Sequence, residues 1–287
     1  MSFYPLPLRV RRSKLEDMKL VSIFGSGTFS ALCWFLICLV APIAADAEPT
    51  AAAVATFHSY IVAVESRIAR QHRSASGFLA PVSAQSEESL RRGELVIEQV
   101  TPPAGMDLPG AMLHHWRGTA FAPGASSGDF ERLMRNFNAY PQHFAPEVER
   151  AGATVQKDGR LAAWMRVRQQ HVITVVMDTD YDVAFGKLDG QHGYSLSQST
   201  KITEIDSPGS SGERALSTDE EHGFLWRLNT YWSYEEKDGG LYMQIESVSL
   251  TRSIPPGLGW AVKPFVESVP RESLEFTLRS ACNALKK

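Results

Sequence analysis

Cysteine is almost missing from this chain. It has three in 287 residues, and Cys33 and Cys38 both fall in one apolar run near the N-terminus, leaving Cys282 alone in the remainder. A disulfide framework is therefore excluded. Cys33 follows Leu32 and Cys38 follows Ile37, so neither stands after the small residue that precedes a lipid-modified cysteine. Charge of one sign is lacking as well: 29 Lys and Arg face 32 Asp and Glu, for a formal net charge of −3. Domains that neutralise phosphates carry a strongly basic face, so nucleic acid is not an expected partner.

Metal-ligand spacing is also absent. His114 and His115 are adjacent in an extended segment and point to opposite faces, while His143, His171, His192 and His222 are scattered without a cysteine or carboxylate at ligand spacing. Asp178, Asp180 and Asp182 copy the first three ligand positions of a calcium loop, but the glycine needed sixth is Val183 and the glutamate needed twelfth is Asp189. They are read as the polar side of an alternating strand. No serine stands in a G-x-S-x-G elbow, and Gly25-Ser26-Gly27 lies in the N-terminal apolar run, where it carries no nucleotide reading. No cofactor and no metal are expected.

What is present is ordinary globular composition, 44% hydrophobic and 21% charged, behind a targeting segment. Arg9, Arg11, Arg12, Lys14 and Lys19 precede an apolar run over residues 20–40, and Ala45-Asp46-Ala47 has the small-x-small pattern of a signal-peptidase site. The whole run is long enough to stay in a bilayer as an anchor, but Gly25, Ser26, Gly27 and Thr28 weaken its first half, which favours cleavage. Either way the domain is exported, to the periplasm, the cell envelope or the medium. Membrane proximity follows only if the anchor is kept.

Residues 48–90 read as an amphipathic helix and a linker. Val54, Phe57, Ile61, Val64 and Ile68 recur at three and four residues, and the Ser- and Ala-rich stretch 74–89 with Gly77 and Pro81 follows. Residues 91–287 form the main domain. Strands are expected over 94–100 and 111–121, then short helices carrying Phe130, Leu133, Met134 and Phe137. After Gly152 the chain turns extended, and period-two alternation in 161–167 and 173–185 predicts half-buried antiparallel strands.

Asp238-Gly239 is a type I′ hairpin signal. A two-residue turn there pairs Lys237 with Gly240, Tyr234 with Met243, Trp232 with Ile245 and Leu228 with Ser249. One face then carries Phe224, Trp226, Leu228, Trp232, Tyr234, Met243 and Ile245, with Ser247, Ser249 and Thr251 further along. The other carries Arg227, Asn229, Tyr231, Gln244, Glu246 and Arg252, read as a solvated surface. After the break at Pro255-Pro256-Gly257 and an apolar piece over 260–268, a closing helix opens at Pro270. Leu274, Thr277, Leu278, Ala281, Cys282 and Leu285 fall on one of its sides. That stripe predicts a helix gripped by the sheet.

The segments HHWRGTAFAPG, GFLWRLNTYWSYEEKDGGLYMQIESVSLTR and IPPGLGWAVKPFVESVPRESLEFTL resemble bacterial members of the START-like (SRPBCC) superfamily, related to polyketide cyclase and lipid-transport proteins, over residues 93–285. The resemblance implies an α+β helix-grip fold, a curved antiparallel sheet around a long C-terminal helix, with an apolar cavity between them. It carries no catalytic signature. The cavity is expected to be lined by Trp226, Leu228, Trp232, Met243, Ile245, Ser247, Ser249, Phe265, Leu274 and Leu278. The small serines there leave volume unfilled. The expected partner is a hydrophobic small molecule or lipid, bound without catalysis. The alternatives are a cyclase- or hydrolase-type enzyme, with Arg227, Asn229, Tyr231, Glu246 and Arg252 as polar contacts if the register is inverted, or a structural envelope domain with a filled cavity.

The targeting segment yields a direct expectation. Expressed in a bacterial host, the exported product should begin at Glu48, as N-terminal sequencing would show; a membrane-bound product retaining 20–40 would identify an anchor.

Overall fold

A computed structural model describes residues 48–286 except 101, 103–105, 107, 171–173 and 255–258, and gives the backbone alone for 259–267. The targeting segment lies outside the described residues. The helices are α1 (Ala51–Gln71), α2 (Ala84–Arg91), α3 (Ser127–Arg135), α4 (Tyr140–His143) and α5 (Gly259–Ala284). The strands are β1 (Val96–Gln99), β2 (Ala111–Pro123), β3 (Val148–Val155), β4 (Leu161–Gln170), β5 (Thr174–Lys187), β6 (His192–Asp206), β7 (Arg214–Ala215), β8 (Arg227–Lys237) and β9 (Gly240–Arg252). They form one antiparallel sheet in the order β1-β2-β9-β8-β6-β5-β4-β3, with the short β7 paired to β6.

The register of the central hairpin follows from its turn. Asp238 and Gly239 both adopt positive φ, 56° and 76°, as a type I′ turn requires. Lys237 pairs with Gly240, Tyr234 with Met243, Trp232 with Ile245 and Leu228 with Ser249, as expected.

The helix α5 closes the inner face of this sheet, and it is longer than the sequence suggested. Helical backbone continues from Gly259 through Pro264 and Pro270, so the apolar piece 260–268 is the first half of the same helix. A proline inside a helix loses one backbone hydrogen bond and crowds the preceding turn, about 3 kcal/mol. Packing offsets that cost. Leu274, Leu278, Ala281 and Leu285 are buried in the main core with Trp232, Tyr234, Met243 and Ile245. Gly118 on β2 lets the helix come this close: a Cβ there would lie 2.5 Å from Leu278 Cδ1 and 3.0 Å from Leu274 Cδ2.

The outer face departs from expectation. Residues 46–287 form one compact unit, and α1 lies within it, not ahead of it. Its Phe57, Tyr60, Ile61, Val64 and Ile68 share a second core with Tyr231, Val248 and Leu250. The stretch read as linker carries α2, started by Ser83, whose side chain accepts from Ser86 N. Leu90 of α2 packs on Phe121 and Tyr242. Asn229, Tyr231, Gln244 and Glu246 are therefore buried under an N-terminal strap and do not form a solvated surface.

Two substitutions test the grip of α5. Leu278→Asp puts a carboxylate into a fully buried apolar site and should cost at least ~1–3 kcal/mol. Gly118→Val overpacks the contact beneath it and should cost about 1–3 kcal/mol. Each should lower the melting temperature by several degrees, while Glu275→Gln, which removes only an exposed pair with Arg279, should not. An unchanged melting temperature in Leu278→Asp would rule out the observed packing.

Candidate ligand-binding site

Strand register arranges the inner face in rows across the sheet. In one row Gly118, Ile245, Trp232, Ser195 and Phe185 are successive partners on β2, β9, β8, β6 and β5. Ile245, Trp232 and Ser195 are buried there, and α5 packs on Gly118. The next row on the same face reads Gln99, Trp116, Ser247, Thr230, Ser197 and Val183. Trp116, Ser247, Thr230 and Ser197 are only half-buried. Beyond it stand His114, Ser249 and Leu228, paired in turn, with Ser199 Oγ accepting from Leu228 N at 2.9 Å. Packed layers stand about 10 Å apart, and serine and threonine cannot reach across that distance. A row holding the buried Ile245 and Trp232 is thus followed by rows of small hydroxyl side chains on the same face.

Two electrostatic features mark these rows. The Trp116 indole Nε1 is buried and has no hydrogen-bond partner, and none of the residues just named in the second and third rows carries a fixed charge. His114 Nε2 lies 3.1 Å from Thr251 Oγ1.

The structure divides the residues singled out from sequence. Trp232, Met243, Ile245, Leu274 and Leu278 are in the packed core with Leu228 against it, and Ser247 and Ser249 lie on the same face. The side chain of Phe265 lies outside the described residues. Trp226 does not face the helix. It joins the outer core beneath α1: β8 begins only at Arg227, so Trp226 lies outside the strand and the alternation counted back from Leu228 does not extend to it. Phe224 is exposed and stacks on His222. Sequence reasoning missed Trp116 and Thr230, although alternation around Gly118 would have placed Trp116 beside Ser247.

Arg227, Asn229, Tyr231, Glu246 and Arg252 stay off the inner face. Arg227 is exposed, and Arg252 Nη1 donates to His222 O at 3.1 Å. The other three belong to a buried polar network under α1. Glu246 accepts from Arg67, from Arg117 Nε at 3.0 Å and from His115 Nε2 at 2.9 Å. A carboxylate only accepts, so His115 donates to it through Nε2, and its Nδ1 lies 2.7 Å from the Tyr60 hydroxyl. Tyr231 donates its hydroxyl to Glu65 on α1 at 3.0 Å and receives the Asn229 amide at 3.1 Å. Burial alone would raise the Glu246 pKa, but the hydrogen bonds from His115 and Arg67 and the charges of Arg117 and Arg67 outweigh it and hold the carboxyl at about 2. These residues fasten the strap to the sheet.

Asp178 takes both Nε and Nη2 of Arg166, and Asp182 pairs with Arg160, so two of the three aspartates are engaged by arginine. Among the described residues no cluster of His, Cys, Asp and Glu could hold a metal. The Cys282 thiol is half-buried and its pKa is raised by burial, the opposite of what a nucleophile needs. A surface pocket of about 270 Å³ at the end of α5, lined by Asp129, Arg132, His143 and Lys286 among others, has its charges engaged locally: Arg132 by Asp129, and Lys286 by Asn283.

No family model matches the chain, and no curated protein matches it. Solved structures do. A START superfamily protein from Mycobacterium smegmatis is 14% identical with a TM-score of 0.39, the match covering 61% of this chain and 96% of that one. A STAR-related lipid transfer protein from Xanthomonas axonopodis is 16% identical with a TM-score of 0.39, over 65% and 98%. An aromatase/cyclase from Streptomyces sp. R1128 is 11% identical with a TM-score of 0.39, over 60% and 93%. Identities and TM-scores this low carry no argument of their own; the architecture stands on the strand order and the closing helix. The fold is the expected α+β helix grip, an antiparallel sheet closed by a long C-terminal helix. A strap, α1 to α2, covers the outer face of its central strands.

The strap should respond to acid in two steps. His72, at its midpoint, stacks between Phe78 and Tyr194, and burial lowers its pKa from 6.5 to about 4. The unfolded chain binds the proton first, so stability falls as pH drops from 6.5 towards 4. Glu246, ordinarily near 4.5 and here about 2, contributes stability that is present above 4.5 and lost between 4.5 and 2. Denaturant midpoints measured against pH should show both windows. His72→Phe should flatten the upper one and Glu246→Gln the lower.

Proposed function

We propose that this helix-grip domain binds an apolar small molecule between the inner face of the sheet and α5, without catalysing a reaction on it. The observation that carries this reading is the half-buried row Trp116, Ser247, Thr230 and Ser197, set beside a packed row on the same face. Side chains too short to fill the layer spacing leave room for a ligand, and the apolar surroundings, Leu228, Ile245 and Val183 among them, favour a hydrophobic one. The named inner rows offer no carboxylate–base pair and no activated nucleophile among the described residues, and, of the polar set that would have served a cyclase, Asn229, Tyr231 and Glu246 face the strap while Arg227 is exposed. The targeting pattern in residues 1–47 supports a working place outside the cytoplasm, at the cell envelope or beyond it.

Mass spectrometry of an organic extract of the purified protein tests the reading. The expected result is one dominant apolar compound in near-stoichiometric amount. Ser247→Trp should displace it and weaken uptake of a hydrophobic dye by about tenfold, the scale of a filled pocket, while the melting temperature holds or rises. Unfolding of Ser247→Trp with an empty wild-type extract would mean that the rows are already filled, and would sink the proposal.

A further inference from the structure

The inner face holds a donor with nothing to donate to. Trp116 packs against the main core on the α5 side of the sheet, yet its Nε1 is buried without an acceptor. Buried donors in folded proteins are nearly always paired, and an orphan points to a missing ligand or water. Packing alone does not call for an indole here: a phenylalanine would supply an apolar ring without stranding an N–H.

Charge narrows what the acceptor is. Gln99, Ser247, Thr230 and Ser197 share the row of Trp116, and His114, Ser249, Leu228 and Ser199 the next, none with a fixed charge. The arginines of the same strands lie elsewhere. Arg117, one residue from Trp116, points to the opposite face and is held by Glu246 and Glu98, and Arg227 is exposed. An anionic head group placed among these rows would meet no counterion among the described side chains of the rows, and proteins avoid an unpaired buried charge.

We propose that the ligand is an uncharged apolar molecule bearing an oxygen acceptor, a ketone, ester or quinone carbonyl, that takes the Trp116 Nε1 hydrogen while its body lies along the hydroxyl row. This rests on the cavity reading above and adds its specificity. Trp116 is the residue that separates an oxygenated ligand from a plain hydrocarbon, and the absence of cations among the described residues of the inner rows separates it from a fatty-acid carboxylate. Ser247, the partner of Trp116 on β9, and Thr230, the partner of Ser247 on β8, place hydroxyls beside the same position.

The test uses the full chain and three pyrene-tagged alkyl probes of equal length, ending in a methyl ketone, a methyl group and a carboxylate, titrated at pH 8. The ketone should bind about three- to tenfold tighter than the hydrocarbon, the range of one hydrogen bond. The carboxylate should bind at least about tenfold more weakly than the ketone. Trp116→Phe should erase the ketone preference and leave hydrocarbon affinity unchanged, which also reports that the cavity is intact. A ketone preference that survives Trp116→Phe overturns the proposal, as does a carboxylate bound as tightly as the ketone, or a wild-type protein indifferent between ketone and hydrocarbon, the pattern expected if Nε1 merely holds a water. In those cases the cavity reading stands. Failure of all three probes to bind overturns both.

Discussion

Strand β9 is buried on both of its faces, and the rest of the structure follows from that. From Gly240 to Leu250 every residue but Ser247 is buried. A strand in that position needs a cover on each side, because an amphipathic sheet buries one face only. The inner cover is α5, seated on Gly118 by Leu274 and Leu278. The outer cover is α1, and its apolar residues meet Val248 and Leu250, which point away from α5. Removing either cover would expose apolar surface at the centre of the sheet, whose burial is worth about 25 cal/mol per Å².

The two covers are held differently. On the inner side the contact is aliphatic, and a glycine sets its spacing. On the outer side it is mixed: an apolar stripe along α1 is pinned by Arg67 on Glu246 and by Glu65 on Tyr231. A buried carboxylate is costly unless its lone pairs are satisfied, and Glu246 meets that condition with donors from Arg67, Arg117 and His115. Such a pair fixes where the strap sits more than it adds to stability, since a slipped α1 would leave Glu246 with two donors where it now has three.

The hairpin register and the inner packing were legible in the sequence because they depend on local chemistry, the positive φ of Asp238 and Gly239 and the i, i+4 stripe from Leu274 to Leu285. The outer cover was not, because Asn229, Gln244 and Glu246 are polar residues at alternating positions and look like a solvated surface. A counter-signal stood beside them. On β9 the inner positions 247 and 249 are serines and the outer positions 248 and 250 are valine and leucine, an inversion that a solvated outer face does not explain. The stripe of Val54, Phe57, Ile61, Val64 and Ile68 needed a partner, and Val248 and Leu250 needed a cover. Joining the two depends on a contact between residues more than 180 apart in sequence, which no local pattern encodes. The length of α5 was obscured by Pro264 and Pro270, local helix breakers overruled by tertiary packing.

That inversion also bears on how the two faces of β9 share the packing. Small hydroxyl residues beneath a helix forgo apolar contacts, and an unfilled region lowers stability in proportion to its size. In this chain the same stretch of β9 that turns serine towards α5 turns valine and leucine towards α1, so the contacts missing from one face of the strand are made on the other. The packed row of Ile245 and Trp232, with α3 and α4 around it, anchors the helix at one end, and the strap holds the sheet from behind. With the sheet and the helix each secured elsewhere, the half-buried row of Trp116, Ser247, Thr230 and Ser197 carries less of the packing. A sequence optimised for stability alone would place larger residues there, and on the proposed reading their absence at a row so well supported marks a ligand site and not a packing defect.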